Sequence, residues 1–162
     1  MTKLISINQK INFIKKKNIF VEGDKSLSIR FILLSSLSRG LCVAKNLLKS
    51  DDVINSINCI KKMGIKIKLR KSYCEVVGKG LDGFRYKKNT VLNAGNSGTT
   101  ARLLCAALVD AKHDVKITGD KSLKKRDMSR IIEPLSKFGV KFKSTNEKLP
   151  LLIKQDYLVY TK

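Results

Sequence analysis

Three short segments carry the residues best suited to chemistry: GDKSLSIR at 23–30, GNSGTTAR at 95–102 and GDKSLKKR at 119–126. In each, a glycine precedes an arginine by seven positions. A glycine turn feeding a helix presents unpaired backbone N–H groups and the positive end of the helix dipole, which together suit an anion. Lys25 and Ser26 stand at the first such turn, with Arg30 one helical turn on, a set matched to a phosphate or carboxylate. The second segment offers an amide and hydroxyls in place of lysine: Asn96, Ser97, Thr99 and Thr100 can donate, and Gly98 admits a ligand close to the backbone. Arg126 adds a planar, bidentate donor in the third. Taken singly, each segment reads as a helix cap or a solvated basic cluster. None is a Walker P-loop, because the second glycine and the closing Lys-Ser/Thr order are missing, and no Rossmann fingerprint occurs.

The elements that must position these residues form an internal repeat. KKMGIKIKLR at 61–70 matches SKFGVKFKST at 136–145: a helix end, a glycine stop, then apolar/charged alternation. GDKSLSIR and GNSGTTAR lie at equivalent places upstream, so two units are expected, at about 21–80 and 90–155. Each unit reads β-α-β-α-β-β. In the first, the strand NIFVEG leads to a helix over about 26–38, the strand LCVAKNL and a helix over about 51–63 with Ser50 as N-cap. In the second, TVLNAG leads to a helix over about 97–109, HDVKITG, and a helix over about 128–138 with Met128, Ile131, Ile132, Leu135 and Phe138 on one face. Pro134 inside that pattern predicts a kink or a late start. Ribbons pairing 65–70 with 73–77, and 140–144 with 150–154, close the two units. The string GDKSL at 119 falls outside this frame, so its likeness to the copy at 23 has a chemical origin or none.

Composition bounds the remaining possibilities. With 43% apolar residues, ten glycines and only two prolines, the 162-residue chain is a folded α/β protein. Its apolar runs are far short of a bilayer span, and the first residues lack the continuous apolar region of a signal peptide, so a cytoplasmic location is expected. Cys42, Cys59, Cys74 and Cys105 are scattered, and Cys59 and Cys105 fall in apolar helical patterns as inert thiols. His113 is the sole histidine, which argues against metal-ligand sets and histidine-dependent triads. The net charge of +21 would suit nucleic acid. However, the lysines run along the whole chain and no aromatic residues interleave with them to stack bases. Small polyanionic substrates profit from the same field.

Three ordered motifs, GDKSLSIRFILLSSL, NAGNSGTTARLLCAAL and TGDKSLKKRDMSRIIEPLSKFGV, give the chain a close resemblance to the N-terminal part of the 3-phosphoshikimate 1-carboxyvinyltransferase family, from about Val21 onward. That resemblance implies an inside-out α/β barrel-type domain with three β-α-β-α-β-β repeats, two of them present here, facing a second domain with which residues 1–20 would pack. It also implies a monomeric enzyme when complete, using no cofactor or metal and binding neither nucleic acid nor membrane. The implied reaction adds the 5-hydroxyl of shikimate 3-phosphate to C2 of phosphoenolpyruvate and then eliminates phosphate. By the same resemblance Lys25, Ser26 and Arg30 contact shikimate 3-phosphate. Lys25, as the catalytic lysine, also reaches phosphoenolpyruvate. Asn96, Gly98, Thr99 and Arg126 line the phosphoenolpyruvate site. Two residues depart from the family pattern: Ile29 stands where it has His or Asn, and Asp127 replaces a proline and sets a negative charge beside Arg126. The family's proton-transferring carboxylates lie in a part this sequence does not include, so residues 1–162 alone are expected not to turn over. Alternatives are a UDP-N-acetylglucosamine enolpyruvyl transferase, which uses a loop cysteine, and a lysine-rich nucleic-acid-binding module.

Overall fold

The first helix, α1 (Lys25–Leu37), begins where the Asp24 carboxylate accepts the N–H of Leu27 at 2.7 Å. This satisfies one of the donors that a helix start leaves unpaired. The computed structural model describes residues 21–154 apart from 72 and 111. The expected strand NIFVEG lies largely outside these residues, and its last residues, 21–23, are not a strand. From α1 the chain runs into β1 (Arg39–Lys45), then α2 (Asp51–Lys62), β2 (Lys66–Leu69) and β3 (Tyr73–Lys79). The second unit continues as β4 (Thr90–Asn93), α3 (Gly98–Ala107), β5 (Val115–Thr118), α4 (Ser129–Lys137), β6 (Lys141–Thr145) and β7 (Lys148–Lys154).

The repeat is visible in the sheets. In the first unit the order is β1-β3-β2, all antiparallel. In the second, β5-β7-β6 repeats that arrangement, and β4 joins β5 in parallel at the edge. Period-two alternation places Ile67, Cys74, Val76, Val115, Ile117, Leu151 and Ile153 inward and the intervening lysines 66, 68 and 116 outward. Inward side chains of both sheets meet α1, α2 and α3 in one core, in which Ile32, Val53, Leu92, Ala101 and Leu104 have no solvent exposure. Each such Ile, Val or Leu side chain contributes about 1.5–3 kcal/mol of burial. α1 is apolar nearly all round, and its Leu27 and Leu34 face solvent.

Several local expectations need correction. Ser50 occupies the N-cap of α2, but its hydroxyl is buried without a partner and Asp51 and Asp52 supply the favourable charge instead. α4 starts at Ser129 and runs through Pro134 in its interior, where the missing N–H leaves the Arg130 carbonyl without its helical donor. Its Ile131, Ile132 and Leu135 are half-buried against the core, whereas Phe138 is 77% exposed.

The sheet approaches α1 closely at Gly78, where an added methyl would overlap the carbonyl oxygens of Ser35 and Ser38. Both obstacles are backbone at the end of a helix, so neither can rotate away. Gly78→Ala is expected to destabilise the chain by about 2–3 kcal/mol, read as a lowered midpoint in urea or thermal unfolding. An unchanged midpoint would contradict this packing.

Candidate functional site

At the start of α1, Lys25 Nζ lies 3.1 Å from Asp52 Oδ2 in the first turn of α2. The lysine side chain is 56% exposed and the aspartate 20%, so the pair is a solvated one of modest strength. Arg30 donates to the Ser26 hydroxyl one turn below it, as the spacing suggested. Ser28 anchors the loop from beneath: its hydroxyl donates to Asp24 O at 2.7 Å and accepts the N–H of Leu48 at 3.1 Å. Ile29 is 2% exposed and belongs to the core, so this departure from the family pattern faces away from the loop.

The second segment forms the turn between β4 and α3. Gly95 has φ +59°, in the left-handed region that favours glycine, and a side chain there would collide with the Asn55 amide of α2. Ser97 caps α3 by accepting Thr100 N–H at 3.2 Å, and it accepts the Thr100 hydroxyl at 2.7 Å. Thr100 in turn bonds to the Ser56 hydroxyl of α2. Thr99 is half-buried in the first turn of α3.

The third segment folds back over the second. Asp120 N–H donates to Gly95 O at 2.8 Å, and Asp120 Oδ1 accepts the N–H of Leu123 at 2.7 Å. The Asn96 amide donates to Asp120 Oδ2 at 2.9 Å, while its carbonyl accepts from the Arg126 guanidinium. Arg126 thereby sits over the first turn of α3, with Nη1 3.2 Å from where a Gly98 methyl would be. Arg102 Nη1 is 2.9 Å from the same point, and its Nη2 donates to Asp127 O at 3.0 Å. Asn96, Gly98 and Arg126 are thus assembled into one place, and α2 links Lys25 to its neighbourhood: Asp52 holds the lysine and Asn55, one turn later, packs on Gly95.

The two GDKSL strings share a local physical basis. In both, the aspartate carboxylate accepts the leucine N–H at 2.7 Å and the aspartate carbonyl accepts the N–H four residues on at 3.0 Å. The first continues as α1, and the second stops after the 3-10 turn at Leu123–Lys125.

Charge in the site is arranged mainly by hydrogen bonds. The Leu123 N–H, assisted by the Asn96 amide and the Arg126 charge, holds the Asp120 carboxyl below the usual carboxylate range. Asp127 is likewise held low, first by the Ser129 hydroxyl and N–H, which it accepts at 2.7 and 2.8 Å, and then by Arg130 and Arg102. Its carboxylate therefore caps the start of α4. Cys59 donates to Asn93 O at 3.3 Å, and burial pushes its thiol up to about 11 and that of Cys105 to about 12. Among the described residues no group of three His, Cys, Asp or Glu is placed to hold a metal ion, and no helix is long and apolar enough to cross a membrane. Sequence reasoning missed Asp52, Asn55, Asp120 and Arg102. Arg102 left a signal in the glycine-to-arginine spacing it shares with Arg30, and Asp120 in the GDKSL string it shares with Asp24.

Residues 11–162 match the family model of EPSP synthase (3-phosphoshikimate 1-carboxyvinyltransferase). A 3-phosphoshikimate 1-carboxyvinyltransferase of Thermoanaerobacter sp. (strain X514) is 41% identical over 136 residues, covering 81% of this chain and 32% of the relative. One from Ruthia magnifica is 42% identical over 134 residues, covering 83% and 31%. The solved structure of EPSP synthase from Acinetobacter baumannii superposes with a TM-score of 0.79 at 33% identity, over 84% of this chain and 31% of its own. The chain spans about a third of the length of the curated relatives it matches. The chain carries the enolpyruvyl transferase fold, and by sequence and by structure it belongs to the EPSP synthase family.

Proposed function

We propose that this chain furnishes one wall of an enolpyruvyl transfer site, at which shikimate 3-phosphate attacks phosphoenolpyruvate through its 5-hydroxyl and phosphate is then expelled. The observation that carries the reading is the placement of the Arg126 guanidinium over the Gly98 turn of α3. A phosphate there meets a bidentate cation, unpaired backbone N–H groups and a helix dipole together. Gly98 matters because a side chain at that position would fill the space between Arg102 and Arg126.

The roles follow from the family resemblance, and this geometry is compatible with them. Arg126, Gly98 and Thr99 take the phosphate of phosphoenolpyruvate. Ser26 and Arg30, at the start of α1, take the phosphate of shikimate 3-phosphate. Lys25 serves both: its ammonium exchanges the half-buried Asp52 carboxylate for substrate anions, and the lysine itself is already more than half exposed. Held between two phosphates, the lysine stabilises charge that builds on the departing phosphate. Fixing both substrates by their phosphates also supplies the alignment that a bimolecular addition needs. Under this reading residues 21–162 belong to the first two repeats of the first domain; the expected packing of residues 1–20 with the second lies outside the described residues. The complete enzyme is a cytoplasmic monomer, and residues 1–162 alone bind substrates without turning them over.

The alternative that relies on a reactive cysteine is disfavoured by the buried, high-pKa thiols of Cys59 and Cys105. The nucleic-acid alternative is disfavoured by outward lysines spread over the strands of both sheets.

Titration of the chain with phosphoenolpyruvate, followed by NMR, is expected to shift signals of residues 95–102 and 119–126. Arg126→Ala should weaken binding roughly 10–100-fold, the loss of one charge-assisted pair. Lys25→Ala should weaken binding of both substrates, and neither variant should alter the unfolding free energy by more than about 0.5 kcal/mol. Retention of RNA that survives both substitutions, with no phosphoenolpyruvate shifts, would favour the nucleic-acid module instead. A thiol reagent at pH 8 should label Cys59 and Cys105 only on unfolding; fast labelling of either in the native chain would reopen the cysteine-dependent alternative.

A further inference from the structure

Asp120 places a carboxylate beside the candidate phosphate site, where a negative charge on its own can only repel the ligand. At about 4 Å in solvent that repulsion is about 1 kcal/mol or less, so a modest geometric benefit outweighs it. The benefit lies in the Asn96 side chain. An amide donates only from its nitrogen, and Asp120 Oδ2 takes that donor at 2.9 Å. The Asn96 carbonyl must then point the other way, where it accepts from Arg126 Nη2. The carboxylate is itself fixed, because its other oxygen accepts Leu123 N–H at 2.7 Å and its own N–H donates to Gly95 O at 2.8 Å.

Resting on the functional reading above, we propose that Asp120 is a positioning residue of the anion site. Through Asn96 it sets the direction in which Arg126 is presented over α3. A long, exposed arginine otherwise surrenders rotamer freedom when it grips a ligand. Here the guanidinium is oriented before the ligand arrives, and Asn96 acts on the arginine rather than on the phosphate.

Asp120→Asn separates this role from simple electrostatics, since the two predict opposite signs. The variant removes the repulsive charge and keeps an oxygen for Leu123 N–H, so electrostatics alone would tighten phosphoenolpyruvate binding. It also sets an amide donor against the Asn96 amide, which must turn and present its own NH₂ to the arginine. Positioning therefore expects binding to weaken by about fivefold to tenfold. The double variant Asn96→Asp with Asp120→Asn exchanges donor and acceptor while keeping the net charge, and should recover part of the binding that Asp120→Asn loses.

The experiment is an NMR titration of residues 1–162 and these two variants with phosphoenolpyruvate, preceded by guanidinium spectra without ligand. Arg126 Nε–H should be distinct in the unaltered chain, move to the free-arginine position in Asp120→Asn, and return in the double variant. Weakened binding in Asp120→Asn with recovery in the double variant supports the proposal. Equal or tighter binding in Asp120→Asn, or an Arg126 signal it leaves unmoved, overturns it. If the unaltered chain shows no phosphoenolpyruvate shifts, the functional reading fails, and the ligand-free Arg126 spectra still decide whether Asp120 sets the arginine.

Discussion

The seating of α2 on the turn between β4 and α3 holds the two repeats in one register, and the site depends on it. Three contacts make that seat: Asn55 against Gly95, the hydroxyl chain from Ser56 through Thr100 to Ser97, and the Cys59 thiol on Asn93 O. The hydroxyls are nearly or fully buried, so each must find a partner within the chain. Leaving one unpaired costs about 1–3 kcal/mol, a substantial part of the stability of a domain this size. The same contacts align the N-terminal ends of α1, α2 and α3. Lys25 reaches Asp52 at the head of α2, and the α3 cap sits one helical turn farther along the same face.

The three glycine segments use one local device for different ends. An aspartate or serine cap orders the turn, and the residues behind it decide how far a helix runs. Behind Asp24, Ile29, Ile32 and Leu33 recur at helical spacing and enter the core, so α1 runs for three turns. Behind Asp120 only Leu123 is buried before Met128, and Lys124, Lys125 and Arg126 offer no apolar face. The helix stops there, and Asp127 begins the cap of α4. An interrupted helix leaves Arg126 on a short, pinned loop rather than on a helix side, which lets it turn back over Gly98. The identical letters in GDKSL thus encode an identical first turn and say nothing about the length of the helix.

Much of this was legible in the sequence because it is local or periodic. Helix spans were read to within a few residues, and both closing ribbons come from alternation such as IKIKL against YCEVV. Anion-suited residues at 25, 26, 96, 98 and 126 were identified by type and by glycine spacing. What escaped was the pairing between segments distant in the chain. Nothing near Asp120 announces Asn96, and nothing near Lys25 announces Asp52, because those contacts exist only after the repeats dock. Ser50 shows the converse: the residue type suits a cap, yet its hydroxyl makes no capping bond. Phe138 fits the apolar stripe of α4 by period but lies past the last helical turn, where it turns to solvent.

On the functional reading proposed above, docking the two repeats converges separate loops on a pair of phosphate-bearing substrates. A crystal structure of residues 1–162 with phosphoenolpyruvate and shikimate 3-phosphate tests it most directly. The expected result is the phosphoenolpyruvate phosphate within hydrogen-bond reach of Arg126 and the first turn of α3, the shikimate phosphate on Ser26 and Arg30, and Lys25 released from Asp52 between them. Both anions bound elsewhere on the lysine-rich surface, with Lys25 still paired to Asp52, would contradict it.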